Sequence, residues 1–214
     1  MSDDTKIYFA DLESTGLLHH LIEQGEKARL HNFCAMSVDG KNMWTFHTDT
    51  DNERKMLQRF LDRDIILVMH NGIQYDKYAL KHFGYDVDKV NFVDTLALSW
   101  YLDLYRAKHG LESYGQESGV PKPVIDDWEK LTQADYDNRV QEDVKIQEYT
   151  YRKLKNMFEE LYGKMSDYEF CTHRVVRFLN FKMKQLAEQQ NSKFRIDVPH
   201  AKSIVEKLEK EIEF

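Results

Sequence analysis

Three short stretches of this 214-residue chain have the residue types and order to do chemistry: Asp11-Leu-Glu13-Ser-Thr15-Gly16, Asn71-Gly72-Ile-Gln-Tyr75-Asp76 and Glu142-Asp143. The first two each follow an apolar run, and the third lies inside a long helical pattern. An Asp-x-Glu pair on a strand carries both carboxylates on one face. Four carboxylates delivered from strand ends and helices can converge into a cage for two divalent cations, and Mg2+ and Mn2+ favour such oxygen ligands. Two cations in one acidic pocket activate water, grip a scissile phosphate and neutralise a leaving 3′-oxygen. Asp11, Glu13 and Asp143 are the expected ligands of one cation; Asp11 and waters hold the second, with Asp76 in its outer shell. Thr15 and Gly16 could turn backbone N–H groups toward a terminal nucleotide, and Leu17 and Leu18 could wedge against its base. Tyr75 offers a stacking face and Asn71 a polar contact. Each acid has a plainer reading alone: Asp11 as a turn-former, Asp76 as an acid at a helix N-terminus, Asp143 as a surface charge. Their combination and order carry the functional one.

The elements that must position these residues follow from periodicity. Residues 6–12, 28–38 and 43–47 read as strands, with a turn at Asp39-Gly40-Lys-Asn42 joining the last two. Asp51 suits the N-cap of a helix to residue 61, with Leu57 and Phe60 on its apolar side. Residues 65–69 are wholly apolar, as in a strand covered on both faces. Gly72 then opens a helix through Leu80, residues 91–93 form a last strand, and Asp94-Thr95 caps a helix over 96–104. Strands first and strand–helix alternation afterwards give a mixed sheet flanked by helices, an α/β fold. Residues 115–127, with Gly119, Pro121 and Pro123, read as a loop, and 134–162 as one long helix. Asp143 lies beside the stripe Val140, Val144, Tyr151, Leu154 and Phe158, so it can point inward. A second helix over 168–189 carries Val175, Leu179, Met183 and Leu186 on one side. Residues 194–197 are extended, and Pro199 opens a helix capped by Asp197 or Val198 that is still running at Phe214. An end in mid-pattern is expected of a truncated piece.

Composition narrows the classes further. A hydrophobic content of 42% is ordinary for a soluble domain, and no run approaches a membrane span. The polar, acidic start is not a secretory signal, and Cys34 and Cys171 stand far apart, so a reducing, cytoplasmic setting is expected. The histidines show no zinc spacing. A net charge of −7 is the wrong sign for a protein that holds nucleic acid by charge alone, but suits a pocket that is acidic until cations load. The charge is also uneven. Between residues 173 and 195, Arg174, Arg177, Lys182, Lys184, Lys193 and Arg195 oppose Glu188 alone, with Phe178, Phe181 and Phe194 interleaved. This segment reads first as the solvated side of an amphipathic helix and second as a nucleic-acid face.

With those residues assembled, the chain resembles the DEDD superfamily of 3′–5′ exonucleases, above all the proofreading domain of family A (pol I-like) bacteriophage DNA polymerases. The likeness runs from Asp11-x-Glu13-x-Thr15-Gly16 through His70-Asn71-Gly72-x-x-Tyr75-Asp76-x-x-Ala79-Leu80. It continues through Val93-Asp94-Thr95-Leu96 and His109-x-Leu111-x-x-Tyr114-Gly115 to Val140-Gln-Glu142-Asp143-Val144. It implies a ribonuclease H-like fold, a mixed β-sheet flanked by helices with a C-terminal helical extension. Residues 1–162 would be the exonuclease domain and 163–214 helices leading toward a polymerase domain. It also implies two divalent cations held by Asp11, Glu13, Asp76 and Asp143, the 3′ end of single-stranded DNA as partner, no membrane, and the cytoplasm of an infected bacterial host. One departure stands out. The family places a Tyr four residues before the last Asp, or a His five before, to orient the attacking water; here those positions are Arg139 and Asn138. Arg139 is one helical turn from Asp143, and an Arg cannot act as a base because its pKa stays above roughly 12. It can orient water through solvent, bind phosphate, or pair with Asp143. Tyr136, two turns away, is expected to be too far.

Three functions compete on these residues. The leading one is a two-metal-ion 3′–5′ exonuclease that releases nucleoside monophosphates from single-stranded or frayed DNA, as the proofreading part of a replicative polymerase. A close variant is a stand-alone DEDD exonuclease acting on DNA or RNA. The third is an inactive module that grips single strands or braces a polymerase, for which Arg139 is the support.

Overall fold

The computed structural model describes residues 6–120, 130–192 and 197–212. Five strands, β1 (Ile7–Ser14), β2 (Leu30–Ser37), β3 (Met43–His47), β4 (Ile66–Met69) and β5 (Asn91–Asp94), form one sheet in the order β3-β2-β1-β4-β5. β1 runs antiparallel to β2 and parallel to β4, so the sheet is mixed, as expected. Strand alternation divides the core in two. Tyr8, Ala10, Leu12, Leu67 and Met69 pack with Leu57, Phe60 and Leu61 of α2 (Asp51–Leu61) and with Ala79 and Leu80 of α3 (Asp76–His82). Ile7, Phe9 and Val68 pack on the other face with Val140, Val144, Tyr151, Leu154 and Phe158 of α6 (Gln133–Tyr162). Phe170 and Cys171 of α7 (Asp167–Thr172) and Val176 of α8 (Arg174–Ser192) join this second cluster. Asp11 and Glu13 continue the row of Ile7 and Phe9, so strand parity alone turns both acids toward α6.

Several local expectations are corrected. Thr50, not Asp51, caps α2, in a capping box with Glu53. Gly72 opens a turn and α3 begins only at Asp76; a Cβ at Gly72 would land on the Met69 side chain, so the close approach of these two segments needs glycine. α4 spans Thr95–Leu102 behind the Asp94 cap. The loop expected from residue 115 is in its first part a helix, α5 (Leu111–Ser118), while 121–127 lie outside the described residues. Gly115 belongs to α5 because a Cβ there would meet Val120 O at 2.7 Å and Ile146 Cδ1 at 2.9 Å. The single helix expected over 168–189 is two, parted at His173, which is extended (ψ 141) and packs its ring on Phe158 and Tyr162. On α8 the buried residues are Val176, Met183 and Ala187, and Leu186 faces out. The last helix, α9 (Val198–Ile212), is capped by Asp197, whose Oδ1 accepts the His200 N–H at 3.0 Å, and buries none of its residues. Residues 194–196 of the expected extended piece lie outside the described residues.

Candidate metal centre

Asp143 lies between Val140 and Val144, which anchor α6 on the sheet, and is itself fully buried. It meets Asp11 and Glu13 from β1: one carboxylate oxygen from each residue lies within 4.8 Å of the others. Three carboxylates at that separation are a donor set suited to a hard divalent cation. Asp76 stands outside this three-way set, buried at the first residue of α3. Its charge nevertheless acts on the same place. Burial first, and then the charges of Asp76, Glu13 and Asp11, raise the Tyr75 hydroxyl to about 12, while its bond with Ser14 opposes them.

Arg139 reaches the cluster from one turn before Asp143. Its Nε donates to Glu13 Oε1 at 2.7 Å, and both side chains are nearly buried, 12% and 11% exposed. An Arg so placed offsets part of the negative charge the acids concentrate. Tyr136, expected to be remote, stacks flat on His31 at 3.8 Å. It lies within electrostatic reach of the acids, since burial and then the Glu13 charge push its hydroxyl up.

The remaining sequence candidates are distributed around this cluster. Thr15 donates its N–H to Arg29 O at 3.0 Å and Gly16 donates to Ser14 O at 2.8 Å. The expectation that these groups turn toward a nucleotide is therefore corrected: the end of β1 consumes them. Tyr75 bonds Ser14 Oγ at 2.6 Å and Gly16 O at 2.5 Å, bracing β1 against α3, and its ring packs partly on the core. Leu17 is 59% exposed ahead of α1 (Leu18–Gln24), whereas Leu18 packs on the core and is no wedge. Asn71 holds the left-handed backbone (φ 63) that Asn tolerates better than most residues, and its Oδ1 is buried with no hydrogen-bond partner among the described residues.

Sequence reasoning missed what holds the Asn71 turn. Asp94 is fully buried, and its oxygens accept the N–H groups of Asn71 (3.1 Å), Ile73 (3.1 Å) and Leu96 (3.0 Å). Burial pushes this carboxyl up to about 6 against those hydrogen bonds. Next to it, Thr95 Oγ1 contacts His70 Nδ1 at 3.0 Å and accepts from Gln147 Nε2 at 3.0 Å. Gln147 is one turn beyond Asp143, so this buried line ties α6, β4 and α4 together behind the acids. Val93-Asp94-Thr95-Leu96 carried a signal in the sequence, as a helix cap and as part of the family resemblance, but not as the support of the Asn71 turn.

No protein-family profile and no curated protein sequence matches the chain. Solved structures do. NrnC of Brucella melitensis with bound Mg2+ is similar with a TM-score of 0.54 and 21% identity, over 92% of each chain. The same protein bound to pGG gives 0.54 and 22%, again over 92% of each. The catalytic core of RRP6 from Trypanosoma brucei gives 0.57 and 13%, over 86% of this chain and 46% of that one. At these identities the likeness shows the fold alone, a ribonuclease H-like mixed sheet flanked by helices.

Proposed function

We propose that this chain is a metal-dependent exonuclease that hydrolyses phosphodiesters at the 3′ end of single-stranded or frayed DNA and releases nucleoside monophosphates. The observation that carries the reading is the meeting of Asp11, Glu13 and Asp143 on a fold shared with NrnC of Brucella melitensis, solved with bound Mg2+. These three residues, with Asp76 beside them, would hold two divalent cations, Mg2+ or Mn2+. Bound there, the cations supply an activated water and offset charge on the phosphate and the leaving 3′-oxygen. A guanidinium offers donors and no acceptor, so the part of Arg139 is to donate to phosphate oxygens or bound water. Asn71 Oδ1 offers an acceptor to the terminal nucleotide, and exposed Leu17 an apolar contact for its base. A paired end must melt before it enters, which costs a few kcal/mol and least at a mismatch. That cost favours unpaired ends without any reading of sequence.

Two settings fit this chemistry. The sequence resemblance favours proofreading beside a polymerase. The likeness to NrnC over 92% of both chains, and the pGG held by that protein, favour a stand-alone exonuclease acting on short oligonucleotides of DNA or RNA. Degradation of 5′-labelled single-stranded DNA, long duplex DNA with a paired or a mismatched 3′ end, RNA of the same sequence and a dinucleotide, with Mg2+ or Mn2+, separates them. A ladder shortened from the 3′ end and absent from Asp11→Ala/Glu13→Ala supports the exonuclease. Preference for mismatched long DNA supports proofreading, and preference for the dinucleotide or RNA supports the second setting. A folded protein that leaves every substrate intact with either metal overturns the proposal.

A further inference from the structure

Beside β5, α8 and the first turn of α3 leave a groove of about 600 Å³. α8 is docked there by Asn180, whose Nδ2 donates to Phe92 O at 2.8 Å and whose Oδ1 accepts the Asp94 N–H at 3.1 Å. These bonds occupy edge groups that an added peptide strand would need. The groove lining is basic: Lys6, Lys77, Arg177 and Lys184 face it with Asp64, Lys6 pairing with Asp64 at 3.1 Å and Lys184 with Glu188 beyond the lining at 3.7 Å. On a chain of net charge −7 this local excess runs against the whole. Arg177, Phe181 and Lys184 share one face of α8 by helical spacing, and Phe181 is 57% exposed between the two cations. A purely solvated helix face accounts for the charges but not for a bare aromatic ring among them. Arg177 makes no ion pair among the described residues, while the Lys77 ammonium lies 5.8 Å from the Phe92 ring centroid. Crowded cations around an exposed ring are complementary to phosphates flanking a base.

We propose that this groove binds the body of a single-stranded nucleic acid, with phosphates at Lys77, Arg177 and Lys184 and a base stacked on Phe181. Lys77 directly follows Asp76 in the chain, and a strand whose 3′ end lay among the acids would run past Asp76 toward the groove, which none of the four acids lines. The direction of that strand rests on the exonuclease reading; the binding itself does not.

Fluorescence anisotropy in EDTA tests it, with labelled DNA and RNA strands of about 20 nucleotides, longer than a typical single-strand site, beside a dinucleotide. Arg177→Glu/Lys184→Glu is expected to weaken long-strand binding at least about tenfold and to reduce the salt slope by about 1.4, roughly 0.7 per phosphate contact. Phe181→Ala is expected to weaken it at least about fivefold, the low end of a base–aromatic stack. Dinucleotide affinity and melting temperature stay at wild-type values, since these residues lie on an outer face. The inference is overturned if long strands bind the variants as well as the wild type, if they do not bind the wild type, or if the double variant alters only sedimentation, which marks a contact between copies. Loss of long-strand binding in the variants, beside a wild type that cleaves nothing with Mg2+, upholds the groove and removes the exonuclease.

Discussion

Arg139 and Asp143 stand one turn apart on the same helix, yet removing each has different consequences. Asp143 offers an oxygen to the three-carboxylate set, so Asp143→Ala should take cleavage below detection. Arg139 donates to Glu13 instead, and Arg139→Ala should slow single-turnover cleavage by about a hundredfold while leaving it measurable. The same substitution removes the cation that offsets a nearly buried Glu13. The metal-free protein should then lose about 3 kcal/mol in urea denaturation, part of it regained with Mn2+. Equal rates for Asp143→Ala and the wild type would contradict the site. The meeting of Asp11, Glu13 and Asp143 was legible in the sequence, because an Asp-x-Glu on a strand and an Asp beside a helical stripe have fixed directions; Asp76 falls outside that set. The sequence offered water, phosphate or Asp143 as the partner of Arg139 and not Glu13, since which acid 126 positions away a helix residue reaches depends on how α6 lies on the sheet.

At the scale of elements, Asp94 and Glu117 set two tests. Both Asp94 oxygens accept backbone N–H groups, so an amide in its place would turn a donor toward another donor. Asp94→Asn, although isosteric, should cost about 1–3 kcal/mol by chemical denaturation. An unchanged stability would show that the Asn71 turn does not depend on this carboxylate. Glu117 of α5 receives Lys153 and Tyr149 of α6 and Arg106, and these bonds, that of Lys153 foremost, hold its carboxyl down to about 2. A depressed acid contributes stability that is present above its ordinary value of 4.5 and is lost as pH falls from there toward 2. Glu117→Gln should therefore flatten the fall in melting temperature between about pH 5 and 3; parallel curves would deny the clamp. Strands and long helices were legible because their apolar periods are set locally. α5 was not, since Gly115 looks like a loop residue until Ile146 is seen against it. Nor was the break at His173, where the ring packs on Phe158 and Tyr162 across the fold without any Gly or Pro to mark it.

For the whole molecule, the sheet divides the core into two faces, and the acids belong to the face that α6, α7 and α8 cover. Removing residues 197–214 should shift the melting temperature by less than about 2 °C, because none of the described residues of α9 is buried. Removing everything after Tyr162 should destabilise the protein severely, by uncovering Phe158 and the side chains packed on Phe170 and Val176. Similar losses for the two truncations would contradict this division. The measurement that bears most directly on the account is calorimetric titration of Mn2+ into the metal-free wild type and Asp143→Asn, both checked for an unchanged fold. Saturable binding by the wild type, weakened at least about tenfold in the variant, is the predicted result. Equal binding by both, or none by the wild type, would contradict a cation site built from Asp11, Glu13 and Asp143.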